Sequence, residues 1–149
     1  MRIASSPVYL DSSALAKVYI PEPESSVLGS LLAGRRDLVV SDLAVTEVAS
    51  AMMRRVRERQ LRRRDMAEAY RTLAGHVADH RFLRAELTAG VHREAERLLM
   101  TLGERVPLRA ADGLHLALAV VAGARTVVTF DRRMIMAATT MGTFDLIES

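Results

Sequence analysis

Four carboxylates stand where a carboxylate can do chemistry. Asp11 ends the run Val8-Tyr9-Leu10, and the small or helix-favouring residues Ser12-Ser13-Ala14-Leu15-Ala16 follow it. Asp131 closes Thr126-Val127-Val128-Thr129-Phe130 in the same way. A strand that runs into an acid at the mouth of a helix sets that acid at the strand's carboxyl end, where open α/β sheets place their sites. Both are also good helix N-caps, a role that needs no chemistry. Glu47 falls in the second turn of its helix, on the side of Leu43 and Ala51, with no basic residue there until Arg54. Asp112 opens the most apolar helix in the chain, directly after Ala110-Ala111. The helix dipole gives such a charge about 0.3–1 kcal/mol. Desolvating an unpaired carboxylate costs several kcal/mol, so a buried Asp112 calls for a cation.

Several carboxylates in one place repel each other and need either protons or a divalent ion. Hard oxygens, with no cysteine and no histidine at ligand spacing, suit Mg²⁺ or Mn²⁺. Such a centre is well matched to phosphoryl chemistry, because the ion activates water and offsets charge on the attacked phosphate. Ser12 and Ser13 are placed either to hold the Asp11 carboxylate or to cap the helix. Thr129 precedes Asp131 by two residues and shares its strand face. Lys17 is within reach either of a phosphate or of Glu22 and Glu24. Residues 54–64 hold seven arginines in eleven positions, opening with Arg54, Arg55 and Arg57 two turns beyond Glu47. This is either a solvated helix hairpin or a positive rim for a phosphodiester substrate beside an acidic pocket. Aromatic content of 4% without tryptophan argues against base stacking and for recognition of such a substrate by backbone and shape. The histidines (His76, His80, His92, His115) form no metal-ligand pattern and read as surface or core residues.

Bringing acids from positions 11, 47, 112 and 131 together requires a fold that gathers strand ends. Periodicity predicts strand 8–10, helix 12–19, and helix 24–33 stopped by Gly34. Strand 37–41 and a long helix 42–59 follow, the helix with an apolar stripe of Val45, Val48, Met52 and Val56. Next come helix 62–80 with Met66, Ala69, Tyr70 and Leu73 inward, edge strand 82–87, and a helix from Thr88 to Leu102. A largely buried helix 110–122, strand 126–130, helix 132–140 and strand 143–146 complete the chain. Strands separated by helices give the α/β class: a mainly parallel central sheet of four to five strands, flanked by helices as an α/β/α sandwich.

Bulk properties agree with that class. The 149 residues fit one domain, 1–149, with a sizeable core. Half the residues are apolar and 26% charged, which is globular and not disordered. The lack of cysteine excludes disulfides and thiolate chemistry. No apolar run approaches the roughly 20 residues of a membrane span, and no secretion signal stands at the N-terminus, so the expected location is the cytoplasm. Of 21 basic residues, 20 are arginine, Lys17 being the exception. Arginine suits bidentate phosphate contacts, and a GC-rich genome gives the same bias.

Four segments together resemble a PIN domain. They are Val8-Tyr9-Leu10-Asp11-Ser12-Ser13-Ala14-Leu15, Glu47 after Ser41-Asp42-Leu43-Ala44, Arg109-Ala110-Ala111-Asp112-Gly113-Leu114-His115-Leu116-Ala117, and Val127-Val128-Thr129-Phe130-Asp131-Arg132-Arg133. More narrowly, the chain resembles the VapC-type toxins, the ribonuclease half of toxin–antitoxin pairs, over nearly its whole length. The resemblance implies a metal-dependent endoribonuclease with Asp11, Glu47, Asp112 and Asp131 around Mg²⁺ or Mn²⁺. Asp112 would be a direct ligand and Asp131 an outer or second-ion acid. It also implies a homodimer and a small antitoxin partner whose tail blocks the acidic pocket. Gly113 departs from the usual Ala, weakening the helix by ~1 kcal/mol beside Asp112 and so able to loosen the site. A haloacid-dehalogenase-type phosphatase would want an acid where Ser13 stands, and a receiver domain would want a late lysine. The remaining alternative is a catalytically degenerate module that binds RNA or protein.

Overall fold

The computed structural model describes residues 6–147, which form five strands and seven helices. In chain order they are β1 (Val8–Leu10), α1 (Ser12–Tyr19), α2 (Ser25–Leu32), β2 (Leu38–Ser41), α3 (Asp42–Arg57), α4 (Arg63–Ala78), β3 (Leu83–Ala85), α5 (Ala89–Leu102), α6 (Ala110–Val121), β4 (Thr126–Val128), α7 (Arg132–Met141) and β5 (Asp145–Ile147). The sheet order is β3-β2-β1-β4-β5, and every pairing is parallel. The chain winds outward from β1 through β2 to β3, then crosses back to lay β4 against the other side of β1. This reversal opens a crevice at the carboxyl ends of β1 and β4, the place where such sheets bind ligands.

Both faces of the sheet are covered, and the alternation of side chains along each strand decides which residue faces which layer. Val8, Leu10, Val40 and Val128 pack with α1 to α4, against Leu15, Leu28, Val48, Met52 and Leu73. Tyr9, Val39 and Val127 face the other way, against Leu98, Leu116, Leu118 and Met134 of α5 to α7.

Several inward faces differ from the periodic expectation. The buried line of α3 is Ala44, Val48 and Met52, while Val45 and Val56 are half-buried. Tyr70 is 42% exposed because α4 is buried only at Leu73. The end of α6 emerges from the core, leaving Val121 60% exposed. Strand β4 ends short of Phe130: Thr129 N–H still donates to Ile147 O at 3.1 Å, but the two donors after it turn to side chains, Phe130 N–H to Ser13 Oγ at 2.9 Å and Asp131 N–H to Thr129 Oγ1 at 3.1 Å. Gly113 does not loosen α6. A Cβ there would meet Leu99 Cγ at 2.7 Å, so the missing side chain is what lets α5 lie closely on α6.

Candidate active site

The four acids reach the crevice from four elements. Asp11 caps α1 at the end of β1, and Asp131 caps α7 just beyond β4. Asp112 lies in the first turn of α6 and Glu47 in the second turn of α3. All four line one hollow of about 170 Å³, together with Ser12, Ser13, Arg109 and His115.

Each acid is held by the element that delivers it. Asp11 is buried, and its Oδ1 accepts from Ser13 Oγ at 2.6 Å and from Ala14 N–H at 2.9 Å. Its Oδ2 accepts from Thr129 Oγ1, which stitches the mouth of β1 to that of β4. Burial pushes the Asp11 carboxyl above its ordinary range, against the lowering effect of these three bonds. Asp112 is also buried, and its Oδ2 accepts from the Arg109 backbone N–H at 2.8 Å, closing the first turn of α6. Asp131 Oδ1 takes the N–H groups of Arg133 and Met134 at 2.8 and 3.3 Å. Glu47 is half-buried, and its Oε1 meets His115 Nε2. That bond holds the Glu47 carboxyl below its ordinary range, against partial burial.

A carboxylate offers about four acceptor positions. The bonds above leave at least one on each acid without a protein donor among the described residues. His115 is no competing soft ligand, because both its ring nitrogens are engaged, by Tyr9 and Glu47. Among the described residues no three His, Cys, Asp or Glu side chains stand close enough together to clasp one ion directly. The free carboxylate oxygens lining the hollow still suit a hard, hydrated cation of the Mg²⁺ kind, which keeps several waters and takes only one or two carboxylates directly.

The hollow opens into a larger groove of about 480 Å³, with Ser12, Ser13, Glu47 and Asp131 common to both. Lys17, Arg54 and Arg55 line this groove, whereas Arg57 does not. Lys17 and Arg55 are ion-paired with Glu22, and Lys17 also with Glu24 at 3.2 Å. Lys17 thus takes the acid-pairing course, and it sits 4.9 Å above the Phe130 ring. Burial lowers the Lys17 pKa, and the bonds to the two glutamates more than offset this, leaving it raised. Arg54 is exposed and makes no ion pair among the described residues.

Of the supporting residues the sequence offered, Thr129 and Ser13 hold Asp11, whereas Ser12 lines the hollow without a hydrogen bond to Asp11 among the described residues. The contacts of His115 with Tyr9 and Glu47 were not anticipated. His115 is buried and sits three residues beyond Asp112, hence on the same helical face. A histidine there, in an otherwise apolar helix, was the available signal.

The PIN domain family model matches residues 8–139. The sequence is 34% identical to ribonuclease VapC49 of Mycobacterium tuberculosis over 129 residues, 85% of each chain. It is also 34% identical to ribonuclease VapC46 of that species over 139 residues, 91% of this chain and 92% of that one. The solved structure of VapC20 from Mycobacterium tuberculosis, a toxin described as cleaving the sarcin–ricin loop, superposes with a TM-score of 0.69 at 18% identity, covering 87% of this chain and 94% of that one. VapBC2 from Rickettsia felis, bound to a promoter DNA fragment, gives 0.68 at 14% identity over 95% and 98% of the two chains. The superpositions establish a shared architecture, and the sequence matches establish kinship: the chain belongs to the PIN-domain family, alongside the VapC ribonucleases.

Proposed function

We propose that this protein is a Mg²⁺- or Mn²⁺-dependent endoribonuclease and the toxin of a toxin–antitoxin pair. One observation carries the chemistry: carboxylates from positions 11, 47, 112 and 131 line a single hollow, which opens into a groove bearing arginines. Kinship with the VapC ribonucleases supports the substrate and the toxin role. The antitoxin, as a protein partner, follows from the same kinship and from VapBC assemblies among the structural neighbours.

Asp11 and Asp112 would hold the principal ion, Glu47 would complete its surroundings, and Asp131 would support it or hold a second. When bound, the ion supplies activation of water and neutralises charge on the attacked phosphate. The protein's own part is to fix geometry and to gather phosphate. Ser13 and Thr129 orient Asp11. The capping bond from Arg109 N–H fixes Asp112. Arg54, exposed beside Glu47, takes a backbone phosphate of RNA laid along the groove.

The test is Asp112→Asn. Divalent-dependent RNA cleavage by the purified protein is lost, and expression without a partner protein, which arrests growth for the wild type, no longer does so. A variant that cleaves RNA as the wild type does overturns the assignment. A wild type that binds RNA but never cuts it, with Mn²⁺ affinity unchanged by Asp112→Asn, identifies a non-catalytic binding module instead.

A further inference from the structure

His115 belongs to α6, on one face of the sheet, and Glu47 to α3, on the other. Their contact bridges the mouth of the crevice. The imidazole is in turn fixed from below: its Nδ1 lies 2.6 Å from Tyr9 Oη, which is fully buried in β1. Tyr9 Oη also lies 3.0 Å from Ser41 Oγ, and Ser41 Oγ accepts the Ala44 N–H at 3.0 Å as the N-cap of α3. The chain Ser41–Tyr9–His115–Glu47 thus starts at the first turn of α3 and returns to its second.

Counting protons gives each bond its direction. Ionised Glu47 only accepts, so Nε2 carries a hydrogen. If Tyr9 donates to Nδ1, the Ser41 hydroxyl donates to Tyr9 Oη and every donor in the chain has an acceptor. If Nδ1 carried a hydrogen as well, Tyr9 would have to donate to Ser41. The buried Ser41 hydroxyl would then have no acceptor among the described residues. The Nε2–H tautomer, aimed at Glu47, is the one in which this buried network closes.

We propose that His115, oriented by Tyr9, is the positioning residue for Glu47. It holds one carboxylate oxygen so that the other stays available to the ion. This rests on the metal-dependent reading above. Glu47 needs such a hold. It is a half-buried glutamate. Of the hydroxyls near it, Ser50 on α3 makes no hydrogen bond to it among the described residues and Ser12 acts on its carboxyl less than His115 does, so the imidazole is its main hold. His115 provides the donor from a rigid, buried helix. Carboxylate ligands are commonly fixed by outer partners in this way, and losing the partner costs about 10–100-fold in metal affinity or activity.

The test measures Mn²⁺ affinity of the full-length protein by calorimetry, with melting temperature and RNA cleavage alongside. His115→Ala and His115→Asn lower Mn²⁺ affinity 10–100-fold, since neither presents a donor at the Nε2 position. His115→Gln, whose amide nitrogen can occupy that position, recovers most of the loss. Tyr9→Phe, a near-isosteric change that keeps the buried ring, gives a smaller loss in the same direction. Cleavage by these variants falls in kcat, with KM for RNA little changed. The positioning role is overturned if the wild type binds Mn²⁺ and His115→Asn and Tyr9→Phe bind it equally well. It is also overturned if His115→Gln falls as far as Ala, which marks the residue as packing alone. A wild type that binds no Mn²⁺, or an Asp112→Asn form that binds it undiminished, overturns the metal-dependent reading together with this one and is recognised by that control.

Discussion

Asp11→Asn offers a sharp test of the site's electrostatics, because stability and metal binding should move in opposite directions. Asp11 is 2% exposed and accepts from Ser13, Ala14 and Thr129. Desolvating a carboxylate costs several kcal/mol, and bonds to a charged acceptor recover about 1.5–3 kcal/mol each. The Asp11 pKa is nonetheless raised, with burial as the largest cause, so the three bonds fall short. The folded chain therefore holds this proton more tightly than the unfolded one does. The stability linked to it is full below the ordinary carboxyl value of 3.8 and is lost as pH rises through the higher folded value. Above that folded value the wild type carries the penalty of the buried charge, which a neutral Asn never carries. Its amide oxygen keeps the bonds from Ser13 and Ala14, and its NH₂ meets a Thr129 hydroxyl that can rotate. We expect Asp11→Asn to be the more stable of the two in chelator at pH 7 and above, each 1 kcal/mol showing as roughly 2–4 °C in Tm for a chain of this size. The gap should narrow toward pH 4. Free Mn²⁺ at about 100 times Kd adds ~2.7 kcal/mol to a protein that binds it only when folded, so metal raises the wild-type melt and leaves that of the variant behind. Thermal melts of both proteins in chelator and in Mn²⁺ decide the matter. An Asn variant that melts below the wild type in chelator at pH 7, or a Mn²⁺ shift equal in both, refutes the reasoning.

Three further outcomes follow from the same geometry. Gly113→Ala gains ~1 kcal/mol of helix propensity but drives a Cβ against Leu99, 2.7 Å from its Cγ. Such overpacking costs about 1–3 kcal/mol, so denaturation midpoints should show net destabilisation that turns to stabilisation in a Leu99→Ala background. Arg54→Ala should weaken RNA binding and reduce the slope of log K against log salt by about 1. Arg57→Ala, outside the groove, should leave that slope nearly unchanged. Asp131→Ser should keep the α7 cap, and with it the melting temperature, while cutting RNA cleavage. Asp131→Ala loses both, the cap being worth about 1 kcal/mol.

What was legible in the sequence was whatever one strand or helix reports about itself. Val8-Tyr9-Leu10-Asp11 and Thr126-Val127-Val128 announce strands that end near an acid, and with the helix order they suffice for a parallel α/β sheet. Asp112 was legible because a charge in so apolar a helix demands a reason. Tyr70 was misjudged because α4 packs only near Leu73, and periodicity does not tell how much of an amphipathic stripe finds a neighbour. His115 stayed hidden for a different reason. Its meaning lies in contacts with residues 9 and 47, and no local pattern encodes separations of 106 and 68 positions. The same holds for the groove: the seven arginines of residues 54–64 read alike, yet Glu22, some thirty residues earlier, takes hold of Arg55 and leaves Arg54 exposed.

Capping and the proposed chemistry, which look like rival explanations of Asp11, Asp112 and Asp131, are compatible in one arrangement. Each of these acids has an oxygen that closes the first turn of a helix, from Ala14, from Arg109, and from Arg133 with Met134. A carboxylate tied to its own backbone in this way has little rotamer freedom left. Its remaining lone pairs are then set by the helix start itself, and that start is set by the strand crossover at β1 and β4. Glu47 is the exception, since it lies a turn inside α3 and has no cap to fix it. It is also the acid that meets an imidazole, and the imidazole comes from the helix that Asp112 begins. Three acids are positioned by local backbone and the fourth by a long-range relay, so substitutions at Tyr9 and His115 should disturb Glu47 while leaving the capped acids in place.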